Sequence, residues 1–109
     1  MQPERPRARR YPFAAKIELT EMQSETQIVE QTSNLSLYGC QVNTAKALPV
    51  GTMIWLRITH QGGTFEAHGK VANIRPAKGL GIVFTQVEGK HQIVLEKWIA
   101  ELREQNKLH

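Results

Sequence analysis

The stretch Asn34-Leu35-Ser36-Leu37-Tyr38-Gly39 falls between two β-like runs, residues 28–32 and 40–42. Asparagine and serine side chains bond readily to nearby backbone, and glycine tolerates conformations that other residues avoid. Leu35 and Leu37, with Tyr38, can tie the segment to a core. On local chemistry the stretch reads as an ordinary strand-to-strand turn. Its neighbours on both sides alternate or carry β-branched residues, so the turn places the chain among mainly-β folds.

The runs around it extend that pattern. Residues 14–22 alternate in part, with Ile17 and Leu19 on one face and Lys16, Glu18 and Thr20 on the other. Residues 26–32 are β-branched and polar. Residues 40–44 read as a short strand, followed by a connection punctuated by Pro49 and Gly51. In residues 52–60, Met53, Trp55 and Arg57 share one face and Ile54, Leu56 and Ile58 the other. Gln61-Gly62-Gly63 signals a hairpin, and residues 64–74 supply its second arm, with Gly69 marking a bend or bulge. Residues 75–79 turn the chain into a last strand, 80–84. Six short antiparallel runs at regular spacing predict a six-stranded β-barrel or a sandwich.

The period changes at the C-terminus. Val94, Leu95, Trp98, Ile99 and Leu102 fall on one side of a helix over residues 89–106, with Glu96, Lys97, Glu101 and Glu104 covering much of the rest. Trp98 reads as a packing residue against the barrel. With 109 residues and 40% hydrophobic content, one compact unit is expected. The division is a flexible basic leader, residues 1–13, followed by a single domain, residues 14–109.

Charge is concentrated in that leader. Arg5, Arg7, Arg9, Arg10 and Lys16 face only Glu4 within the first sixteen residues, which accounts for the whole formal charge of +4. The rest of the chain is neutral. A neutral body with a cationic leader points to a local anionic ligand rather than a broad nucleic-acid surface. No basic-aromatic stripe of the kind an RNA-reading sheet uses is present.

An arginine-rich leader followed one strand later by Asn-x-Ser-x-x-Gly resembles the PilZ domain family, whose members pair an RxxxR motif with a [D/N]xSxxG motif. Arg5 and Arg9 have the first spacing; Asn34, Ser36 and Gly39 fill the second. The resemblance implies a PilZ-like barrel with a C-terminal helix and a cyclic di-GMP receptor without enzymatic activity. It also implies that the ligand is clamped between the leader and the Asn-x-Ser-x-x-Gly corner. The family's second arginine usually stands directly before the first strand. Here that residue is Arg10, and four positions back lies Pro6. Either Arg5 and Arg9 form the pair with Arg10 as an addition, or Arg10 is used and its partner is missing. Implied ligand-binding residues are therefore Arg5, Arg9, Arg10, Asn34, Ser36 and Gly39. The alternative is a PilZ-like interaction module with a degenerate arginine motif that binds no nucleotide.

The chemistry of the roles is coherent. Arginine offers a fork for phosphate oxygens or a guanine edge and a flat face for stacking. Asn34 offers both a donor and an acceptor, Ser36 can bond to phosphate or hold its loop, and Gly39 permits an unusual turn or a close approach. Ordering six leader residues costs roughly 6–12 kcal/mol, and each charge-assisted hydrogen bond contributes about 1.5–3 kcal/mol. Several arginines are thus needed.

Other chemistries find no support. The four histidines lack metal-ligand spacing, Cys40 has no CxxC partner, and every carboxylate is a glutamate with no nucleophile arrangement beside it. No catalytic residue, metal or cofactor is expected. No apolar run reaches membrane-spanning length, and no secretory signal follows the basic start. A single cysteine fits a reducing cytoplasm, and the PilZ resemblance implies a bacterial one.

Overall fold

The computed structural model describes residues 8–107. Seven strands precede one helix: β1 (Tyr11–Pro12), β2 (Lys16–Glu21), β3 (Gln27–Leu35), β4 (Gly39–Asn43), β5 (Met53–His60), β6 (Gly63–Arg75), β7 (Gly79–Gln86) and α1 (Gly89–Asn106). All pairings are antiparallel, and the order β3-β2-β5-β6-β7-β4 closes through β3–β4 into a six-stranded barrel. β1 is a short additional strand on β3. The expected barrel and C-terminal helix are present.

Alternation explains the closure. Ile17 and Leu19 on β2 and Ile54, Leu56 and Ile58 on β5 are each 1% exposed or less. Phe65, Val71, Leu80, Leu35 and Val42 are equally enclosed, so the inward positions of every barrel strand meet in one core. Outside, Glu18, Arg57 and Glu66 stand opposite one another on β2, β5 and β6. Arg57 lies 3.5 Å from each carboxylate, and its guanidinium covers Trp55. The β5–β6 link is a two-residue turn, Gln61 (φ 50°) and Gly62 (φ 78°), the tight form whose twist matches a hairpin. The pairing of β6 with β7 shifts register between His68 and Gly69, the bulge expected there.

The helix lays Leu95, Trp98, Ile99 and Leu102 on the barrel. Trp98 meets Phe13, His60 and Phe65 at ring separations of 5.5–6.4 Å. His91 Nδ1 accepts the Glu66 backbone N–H at 3.1 Å, which fixes the first turn of α1 to β6. Among the described residues, no helix is long and apolar enough to cross a membrane.

Two expectations change. β3 runs on through Leu35 past a register shift between Thr32 and Asn34, so Asn34 is a strand residue and only residues 36–38 turn. The leader was expected to extend to residue 13. Tyr11 and Phe13 are 3% and 5% exposed, however, and Tyr11 pairs with Leu35. Their rings bury too much apolar area to stay in water. Residues 1–7 of the leader, Arg5 included, lie outside the described residues.

Candidate functional site

Thr32 positions the leader. Its buried hydroxyl donates to the Phe13 carbonyl at 2.5 Å and accepts the Ala15 N–H at 3.0 Å. Phe13 N–H bonds to the Ser33 carbonyl, and Pro12 stands opposite Asn34. Because β1 runs antiparallel to β3, the residues before it travel toward the turn at Ser36. Arg10 consequently lies beside Ser36, Tyr38 and Gly39 in the wall of a cavity of about 430 Å³. Arg9 points elsewhere, with its guanidinium 5.2 Å from the centre of the Tyr11 ring.

Ser36 holds its own turn. Its hydroxyl accepts the N–H groups of Tyr38 and Gly39 at 3.1 and 3.2 Å, and its N–H bonds to the Gly39 carbonyl at 2.9 Å. Gly39 opens β4 without a left-handed backbone. A Cβ there would sit 2.1 Å from the Ile82 carbonyl oxygen, so the glycine is required by the close approach of β7. Sequence reasoning had given it a turn conformation or a ligand contact; strand packing is the cause.

Asn34 lines a neighbouring, larger cavity of about 900 Å³ with Gln41, Lys46, Arg75 and Lys78. Glu30 is the single carboxylate in that wall, and it accepts a hydrogen bond from Thr44. Three cations against one occupied carboxylate make the cavity electropositive. Arg10, Ser36 and Gly39 thus share one cavity and Asn34 borders the next, while Arg9 lines neither.

Thr32, Gln41 and Asn73 were not picked out from sequence. Thr32 could have been noticed as a β-branched polar residue at an inward position. Gln41 and Asn73 belong to segments far apart in sequence and meet only through strand register. Cys40 is buried against the smaller cavity; desolvation pushes its thiol from 9.0 up to about 12, against the smaller opposing effect of the Arg10 guanidinium. Among the described residues, no group of three or more His, Cys, Asp or Glu side chains could hold a metal ion.

Comparison with known proteins agrees with this architecture. The PilZ domain family model matches residues 4–101. The chain belongs to the PilZ domain family. Escherichia coli YcgR in complex with c-di-GMP shares 19% identity at a TM-score of 0.76, over 95% of this chain and 48% of that one. The Bacillus subtilis inhibitor of motility MotI/DgrA shares 18% at 0.74, over 95% and 53%. The isolated PilZ domain of YcgR with c-di-GMP matches at 18% and 0.70, over 95% of both chains. This PilZ domain spans about half the length of the first two proteins. No curated protein matches it in sequence.

Proposed function

We propose that this PilZ domain is a non-enzymatic cyclic di-GMP receptor acting in the bacterial cytoplasm. The ligand is held between the arginine leader and the Asn34–Gly39 corner, and closing of the leader is the signal. The carrying observation is that Arg10, Ser36 and Gly39 line one cavity, with Asn34 in the wall of the neighbouring one. An anion there meets a guanidinium fork and a pre-bonded turn without further folding of the barrel. The family membership and the c-di-GMP held by YcgR support the same ligand class.

A second reading is a PilZ interaction module that takes no nucleotide. It is favoured by the engagement of Arg9 with the Tyr11 ring and by proline at position 6, four residues before Arg10.

Isothermal titration separates the two. Cyclic di-GMP is expected to give saturable heat, and GTP and a short oligonucleotide none. Arg10→Ala and Asn34→Ala should each raise Kd about tenfold or more, the loss of one charge-assisted or buried hydrogen bond. Circular dichroism of both variants should match the parent. Absence of heat with any of the three ligands would favour the module instead.

A further inference from the structure

Strand register assembles a feature that no single segment contains. Asn34 on β3 stands opposite Gln41 on β4, Gln41 opposite Gly81 on β7, and Gly81 opposite Asn73 on β6. Their neighbours Leu35, Cys40, Leu80 and Ile82 fill the core. The row therefore runs across the outer face of four strands. Gly81 is the one member without a side chain. A Cβ at that position would lie 2.5 Å from Asn73 Oδ1, so the Asn73 amide rests over it. Asn34 and Gln41 line the larger cavity, and Asn73 and Gly81 the smaller.

Gln41 is buried, Asn34 and Asn73 are half-buried, and each carries a buried amide atom without a partner among the described residues. Gln41 is 4% exposed, and neither its Oε1 nor its Nε2 has a hydrogen-bond partner among the described residues. Asn34 Oδ1 and Asn73 Oδ1 are also buried without partners among the described residues. Buried amides left unpaired destabilise a fold, and a leucine would fill the Gln41 site without that penalty. Three open acceptors and one open amide donor are the complement of a group with two donors beside one acceptor. Guanine presents such an edge, O6 flanked by N1–H and N2–H; adenine presents one amino donor and ring acceptors.

We infer that Gln41, between Asn34 and Asn73, reads the guanine edge of the bound dinucleotide and makes the receptor select guanine over adenine. This rests on the cyclic di-GMP reading above. The cations Lys46, Arg75 and Lys78 border the same cavity and suit the phosphates rather than the base.

Titrations of the parent, Gln41→Leu and Asn73→Ala with cyclic di-GMP and cyclic di-AMP test it, alongside melting of the ligand-free proteins. The parent should prefer cyclic di-GMP. Gln41→Leu should weaken cyclic di-GMP about tenfold or more, leave cyclic di-AMP little changed, and melt no lower than the parent. Asn73→Ala, at a half-buried position that tolerates truncation, should narrow the preference in the same direction. Unchanged selectivity in both variants overturns the inference and leaves the receptor reading intact. Equal loss of both nucleotides together with a lowered Tm would also overturn it, since Gln41 would then be structural. If the parent binds no cyclic di-GMP, the receptor reading falls and this inference with it.

Discussion

Gly39 and Cys40 are adjacent, and packing against β7 governs both. A methyl group on Gly39 would collide with the Ile82 carbonyl, a backbone atom that cannot move without displacing the strand. Gly39→Ala should therefore lower stability by about 1–3 kcal/mol or more in denaturant unfolding. Gly89→Ala is the control: its Cβ meets nothing within 4 Å at the start of α1, and a gain of about 0.5–1 kcal/mol is expected. Cys40 is protonated in the fold well above its ordinary range. The unfolded chain loses that proton first as pH rises, so the stability it contributes is intact below pH 9.0 and declines toward about 12. Cys40→Ala should flatten the alkaline limb of a stability–pH curve. The parent thiol should resist alkylation at pH 8 until the protein unfolds.

Among the elements, β1 is the shortest, and it decides where the leader goes. Two residues of strand cannot hold it; the Thr32 hydroxyl, bonded to both Phe13 and Ala15, and the Phe13 ring against Trp98 do. Thr32→Val keeps the shape and removes both bonds. It leaves a buried carbonyl and N–H unsatisfied, for a loss of about 1–3 kcal/mol. Hydrogen exchange should show the Ala15 amide losing protection while the amides of β5 and β6 keep theirs. On the proposed receptor reading, affinity for cyclic di-GMP should fall with it, because Arg10 is then no longer held beside Ser36. α1 joins the same cluster through Trp98, whose ring centre lies 5.7 Å from that of Phe13.

The barrel closes only when β2 meets β5 and β4 meets β7, pairings such as Lys16 with Thr59 and Gly39 with Val83 that lie far apart in the sequence. Non-local pairing of that kind delays folding, because loops must close before contacts form. Refolding followed by tryptophan fluorescence should fall in the millisecond-to-second range; a microsecond phase carrying the full amplitude would contradict the closed topology. The charge distribution acts at the same level. The formal +4 resides in the first sixteen residues, so the body gives no long-range attraction to polyanions. Specific binding of a small anion should weaken only modestly between 50 and 200 mM salt, unlike the steep loss of a nucleic-acid binder.

The amino-acid sequence carried the barrel, the helix and the polar corner, because strand alternation, turn chemistry and helical periodicity are local signals. Ile54-Trp55-Leu56 and Leu95–Trp98 announce their faces within a few residues. Three features had no local signal. The bulge that makes Asn34 a strand residue, the demand for glycine at position 39, and the alignment of Asn34, Gln41 and Asn73 each depend on which strand lies alongside and in what register. Such pairings join residues up to dozens of positions apart, and a one-residue slip would turn each side chain to the opposite face. Packing between strands, rather than the residues' own preferences, therefore set the geometry around the cavity.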